Sequence, residues 1–410
     1  MSKAYSTLRS SALAELAEGD VRAAFLSLER AFLTIELSEG DFTEALTLLG
    51  VVAAKIGGPQ FGEKARAAAG GDPNALRALA VELDRADAHP LAARLLERAH
   101  TLRPGDLQIT MDWVSALESS FENTHAREVL AAIGEPGRSA FVVRYFSAFH
   151  AIMCGDLAAA SEIDLSGGRA DLSESLRGML ARAESVSKVS PLGTDDLRGW
   201  QAVIDGSIVL HRSPHGPDVM RGRYAFVQEP LSLAAEGIAR VMGVLHALSL
   251  LPERVLLLPG DDSEALGRAI ATRLGIAAEP YAPELRGLIV ADDLERVPFE
   301  VTRALAEKRA GQILWAHAAS WTRPYPFAAD LVTYQYQQRV GLWDANIPDG
   351  EADLSPVPEK AAQIAAAKPD SLEDLPMLIS LAMALKPSLV RTGQRLPQRR
   401  GSPVRSARFS

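Results

Sequence analysis

The stretch Arg254–Leu274, RVLLLPGDDSEALGRAIATRL, constrains this chain more than any other. Val255–Leu258 is a short, uninterrupted apolar run, the pattern of a strand covered on both faces. Pro259-Gly260 breaks it. Ala265, Leu266, Ala269, Ile270 and Leu274 then recur at helical spacing. Asp261, Asp262 or Ser263 stands where a side-chain oxygen can cap the new helix. A buried strand passing through a turn into a helix is the unit of a parallel sheet, and the loop between them is where such sheets hold ligands.

The same alternation continues. Leu288–Ala291 is an apolar run ending in Asp292-Asp293, Pro298–Arg309 reads as a helix, and Gln312–His317 as a strand. Phe327–Val340 fits a closing helix or strand. An α/β domain with a mainly parallel sheet is implied. Ahead of it, two apolar runs flank Asp205-Gly206 within Trp200–His211, the signature of a β-hairpin. Tyr224–Val227 is a further strand, and Leu231–Leu251 a long apolar helix. That helix is interrupted by Glu236, Arg240 and His246, so it does not read as a membrane span.

Residues 1–187 contain almost no strand signal. Their apolar residues recur at helical spacing, as in stacked helix pairs. Ala17-Glu18-Gly19-Asp20 and Ser38-Glu39-Gly40-Asp41 read as helix stops followed by caps. The clearest pair is Asp72–Gly105, with Leu76, Leu79, Ala80 and Leu83 on one helix, Ala92, Leu96 and Ala99 on the next, and Pro104 after it. This unit resembles a tetratricopeptide repeat. Moved by 34 residues, the frame puts Trp113, Val114, Leu117, Ala126, Leu130 and Ile133 on equivalent sites. A third pair falls around Phe141–Cys154 and Asp156–Ile163. The resemblance implies an all-α solenoid whose groove holds a protein or peptide partner.

Composition narrows the remaining classes. The formal net charge of −9 argues against nucleic-acid binding through the body of the chain. The exception is the C-terminal run of Arg391, Arg395, Arg399, Arg400, Arg405 and Arg408, read as a disordered basic tail suited to nucleic acid or an acidic partner. One cysteine, Cys154, leaves no internal disulfide framework. With no apolar leader segment at the N-terminus, a cytoplasmic protein is expected.

Two loops carry the candidate ligand chemistry: Gly260, Asp261, Asp262 and Ser263 after the first strand, and Asp292 and Asp293 after the next. Leu288–Asp293 resembles the apolar-plus-acidic half of the phosphoribosyl-pyrophosphate motif in type I phosphoribosyltransferases. The resemblance implies a nucleotide- or phosphoribosyl-binding transferase, with Asp292 and Asp293 holding Mg²⁺, a hard cation that favours carboxylates. The chain departs from the family at Leu294-Glu295-Arg296-Val297-Pro298, which lacks the Thr/Gly phosphate loop. That loop wraps phosphate with backbone amides, whereas Glu295 repels it. His211 and His215 are the closest histidine pair, but Pro214 between them opposes a helical metal site. Arg212, Arg221 and Arg223 form a candidate anion-binding loop.

The sequence therefore predicts three parts: a TPR-like solenoid over 1–187, a phosphoribosyltransferase-like α/β domain with an N-terminal hairpin over 188–345, and an extension with one helix and the basic tail over 346–410. The expected function is an interaction scaffold whose α/β domain is catalytically degenerate. The alternatives are a nucleotide- or nucleotide-sugar-binding transferase and, third, a glycosyltransferase-like domain.

Overall fold

A computed structural model describes residues 3–215, 220–344 and 353–404. The chain divides into two compact units. The first, Met1–Cys154 with Glu162–Gly168, is helical. Its long helices are Lys3–Glu18, Val21–Thr34, Glu39–Gly57, Pro59–Ala68, Pro73–Arg85, His89–Leu102, Leu107–Ser119, Asn123–Ala131 and Phe141–Met153. Each packs mainly on its neighbours in sequence. The apolar stripes make one core, in which Leu76, Leu79, Ala80, Leu83, Ala92, Leu96, Ala99, Val114, Leu117 and Ala126 are buried.

The backbone repeats with a fixed period. The helices beginning at Glu39, Pro73, Leu107 and Phe141 start 34 residues apart (39, 73, 107, 141). The three residues before the first three starts, Ser38, Asp72 and Asp106, each accept a backbone amide on the side chain. This satisfies one of the free N–H groups at a helix start. Left-handed residues fall at 19, 87, 121 and 155, differences of 68, 34 and 34: Gly19, Asp87, Phe121 and Gly155. The same closing bond accompanies three of them, Asp20 N to Glu15 O, Ala88 N to Leu83 O and Glu122 N to Leu117 O, each 2.9 Å. The position missing from this series, residue 53, lies inside the helix Glu39–Gly57; the left-handed turn there has moved to Gly58. Gly40 and Asp41 correspondingly lie within a first turn capped by Ser38, not at a helix stop.

The second unit, Gly155–Ser161 with Arg169–Ser410, is an α/β structure. Its strands are β1 Ile208–Val209, β2 Tyr224–Gln228, β3 Arg254–Leu257, β4 Ala277–Pro280, β5 Gly287–Asp293, β6 Glu307–Lys308, β7 Gln312–Ser320, β8 Leu331–Val340 and β9 Gly393–Gln394. The main sheet runs β4-β3-β5-β7-β8, with β1 and β2 both pairing to β8, and every pairing in it is parallel. β5 and β7 are buried along their whole length, as central parallel strands must be. β6 and β9 form a separate antiparallel pair.

Several expectations are corrected. Trp200–His211 is not a hairpin. Leu197–Asp205 is a helix, capped by Asp196 through the Gly199 amide, and only Ile208–Val209 is a strand. Leu197, Trp200, Val203 and Ile204 sit at helical spacing and are all buried. The Asp-Gly signal serves as a helix ending, with Gly206 left-handed at φ +78°. Phe327–Val340 resolves into strand β8. Helix Ala170–Val186, expected in the solenoid, packs on Leu197–Asp205 in the second unit. Residues 353–404 also belong to that unit. Val357–Ala366 packs on Asp261–Leu274, and Leu375–Ala384 on Leu231–Ala247. The described part of the arginine run is ordered against the unit: the Arg395 amide donates to Ala306 O at 2.9 Å, and the Leu396 carbonyl accepts from the Ala328 amide at 2.8 Å. Arg405 and Arg408 lie outside the described residues.

Candidate functional site

Taken in chain order, β3, β4, β5, β7 and β8 lie in the sheet as 2-1-3-4-5. Strand order reverses between β3 and β5, and a doubly wound sheet opens its ligand crevice at such a reversal, beyond the strand C-termini. The two loops singled out in the sequence meet there. The Ser263 hydroxyl accepts the Asp292 amide at 2.9 Å, fastening the end of β5 to the first turn of Asp261–Leu274. Gly260 takes the N-cap position of that helix at φ +116°, and no side chain caps it. Asp261 and Asp262 stand instead in the first turn, where the helix dipole favours their charge.

The crevice is crossed by charges of the chain itself. Asp262 pairs with Arg296 at 3.1 Å, and Arg296 pairs also with Asp344. Lys360 lies 3.9 Å from Asp262 and over the Trp343 ring. Burial pushes the Asp262 carboxyl upward, and Asp292 adds to that.

Behind the loops lies a buried network. Arg339, on β8, grips Asp292 with both terminal nitrogens, at 2.8 and 2.7 Å. Its Nε donates to Glu229 at 3.0 Å, and a terminal nitrogen lies 3.6 Å from Asp293. Glu229, just past β2, is also met by His317 Nε2 at 2.6 Å and by the Tyr334 hydroxyl at 3.0 Å. Asp293 accepts from the Tyr336 hydroxyl and from the Glu295 amide. Burial alone would raise the Glu229 carboxyl, but Arg339 and His317 outweigh it and hold it at about 2. Burial is not outweighed at Asp293, whose carboxyl is raised, with Asp292 contributing. For Arg339, burial opposes the charge, and Asp292 and Glu229 reverse that, holding the guanidinium well above its ordinary range.

This arrangement does not fit Mg²⁺. Both oxygens of Asp292 are bonded to a guanidinium, and both of Asp293 accept from protein donors. A dication would have to displace Arg339. Among the described residues, no group of three or more His, Cys, Asp or Glu is arranged to hold a metal ion. Glu295 faces Arg323 at 3.0 Å.

The other sequence candidates separate. His211 contacts Glu236 and Tyr224, whereas the His215 amide donates to Ser213 within its own turn. Arg223 is buried on the Trp321 ring and bonds Gln335 and Ser402. Glu229, Tyr334, Tyr336 and Arg339 carried no sequence signal as site residues. Their only trace is polar side chains within or at the ends of otherwise apolar segments, and partners 40 to 110 residues away cannot be read from one sequence.

No protein-family model matches the chain, and no curated protein is significantly similar to it. What is shown is a helical N-terminal part followed by a parallel-sheet α/β part. Among the described residues no helix is long and apolar enough to cross a membrane.

Proposed function

We propose that this is an interaction protein whose TPR-like helical part docks a protein or peptide partner, joined to an α/β part that resembles phosphoribosyltransferases and is catalytically degenerate. The 34-residue register of caps, helix starts and left-handed turns carries the first half of this reading. Helix pairs in such a register bury their stripes only by stacking, and a stack presents an extended surface to a partner. The second half is supported by Arg339, which takes the carboxylate edge a phosphate-bound cation would need, and by Glu295 in place of a phosphate loop.

The test is affinity capture with the full chain followed by cross-linking mass spectrometry. Partner cross-links should fall on Lys55 and Lys64 of the helical part. Cross-links confined to Lys368 and Lys386 of the α/β part overturn the docking assignment. For the degenerate α/β part, phosphoribosyl diphosphate with Mg²⁺ should leave the melting temperature unchanged. A saturable rise that Asp292→Asn abolishes would instead establish a working transferase-type site.

A further inference from the structure

A second opening lies on the β8 edge of the sheet. β1 pairs with the start of β8 and β2 with its end. Beside them is a cleft of about 780 Å³, walled by the exit of β1, the start of β2, the helix Leu231–Ala247 and residues 370–374. That volume is within the range of small-molecule sites.

Its wall carries the carboxylates Asp195, Glu236, Asp370 and Asp374 and the arginines Arg212, Arg221 and Arg240. Glu236 Oε1 takes His211 Nδ1 and Arg240 Nε, each at 2.7 Å. Asp374 takes Arg240 Nη1 at 2.6 Å and is shared with Arg198. These two carboxylates are therefore used up by Arg198, Arg240 and His211. Two further arginines line the cleft, Arg212 and Arg221, and among the described residues neither makes an ion pair. They are held as neighbours. The Ser213 amide donates to Gly222 O at 2.7 Å, and a Cβ on Gly222 would stand 3.2 Å from the Arg212 Cβ. Burial pushes the nearby Arg198 guanidinium down, and Arg212 and Arg240 add to it.

The backbone pays for this placement. Arg221 is left-handed at φ +48°, followed by Gly222 at φ +86°. For a residue with a side chain this region is disfavoured, and such strain persists where the surroundings impose it. The Arg221 Nε is buried with no hydrogen-bond partner. Next to the arginines, His211 Nε2 lies 3.0 Å from the Tyr224 hydroxyl, so Glu236, His211 and Tyr224 form a chain that fixes that hydroxyl on the wall. Asp195 and Asp370, both exposed, complete the lining and oppose the entry of an extended polyanion such as nucleic acid more than that of a single anionic group.

We infer that the cleft binds a small molecule through one oxyanion group, a phosphate ester or a carboxylate, seated between Arg212 and Arg221, with the Tyr224 hydroxyl, oriented by His211, meeting its adjoining polar atoms. Guanidinium forks suit both headgroups. The inference rests on neither the helical repeats nor the switch-point network.

The experiment is calorimetric titration of the full chain at low ionic strength with inorganic phosphate and, separately, with succinate. Saturable binding of one or both is expected, and the tighter probe identifies the headgroup. Arg212→Gln and Arg221→Gln should each weaken it about tenfold, while Arg391→Gln, outside the cleft, leaves it unchanged. In the wild-type chain, the bound probe should also protect Arg212 and Arg221 from a dicarbonyl reagent, a readout that needs no variant. Absence of binding by both probes, or binding that is equal in all variants and gives no protection, overturns the assignment.

Discussion

The two units handle charge in opposite ways. In the helical unit the core is aliphatic and aromatic, and pairs such as Arg9–Glu44, Lys64–Glu82 and Arg77–Asp112 lie at the surface, with cation side chains 34%, 41% and 37% exposed. In the α/β unit Arg339, Glu229 and Asp292 are at most 6% exposed and hold one another at the sheet's C-terminal edge. Surface pairs are nearly dispensable, because water replaces either partner. A buried network is different: each member is stable only because the others are present. The surface pairs of the helical unit can therefore be lost singly, and the members of the buried α/β network cannot.

The largest effect should come from breaking that network. Arg339→Leu leaves Glu229 and Asp292 buried without their cation and should cost about 3–5 kcal/mol. Arg77→Leu in the helical unit should cost no more than about 1 kcal/mol. Urea unfolding followed by peptide-resolved hydrogen exchange measures both, and equal losses would break the contrast. Next in size, Leu79→Ala removes a fully buried side chain from the helical core and should cost about 2–4 kcal/mol. Its exchange signature should appear in the helical unit.

Acid titration sharpens the comparison further, because the signs differ. Burial lowers the His150 imidazole to about 4, with Arg127 adding to the effect. The unfolded chain then binds a proton that the folded chain refuses, so the helical unit loses stability as pH falls from about 6.5 to 4. Asp205, in the α/β unit, is raised by burial to about 6. Its contribution is full below its unfolded value and is lost as pH rises through about 6, so over the same acid range it gains. Glu229, held at about 2, adds stability above about 4.5 that disappears only in stronger acid. Protection of the helical unit should thus fall first on acidification, and His150→Phe should flatten that fall. The same pH dependence in both units would contradict this.

The smallest prediction uses the register itself. Ser38, Asp72 and Asp106 cap their helices with side chains, and the fourth position in the series, Ala140, is extended and offers none. Ala140→Ser should raise stability by about 1 kcal/mol in thermal unfolding.

How far the sequence could be read follows from the range of the interactions. Leu76, Leu79, Leu83, Ala92 and Ala99 could be placed on a core face because helical spacing is set within one or two turns. Asp20 could be read as a cap for the same reason. The Gly19 turn was visible too, but its place two periods before Asp87 was not, because the intervening turn had shifted to Gly58. Asp205-Gly206 misled, since a left-handed glycine closes a helix as well as a hairpin, and only the stripe Leu197, Trp200, Val203 and Ile204 decides between them. The arginine run read as disordered because its composition is polar. Arg395 instead pairs with the buried Asp330 at 2.7 Å, 65 residues earlier.

By itself, then, the sequence determined most of the local units: that the first half is helical, that a parallel sheet follows it, and that two acidic loops end its strands. Only the tertiary structure decided that those loops meet where strand order reverses, that Arg339 grips both oxygens of Asp292, and that Arg212 and Arg221 line a cleft with no ion-pair partner among the described residues. The reason is physical. Periodicity and capping act over a few residues, whereas the worth of a charge depends on what the fold brings to within a few ångströms of it.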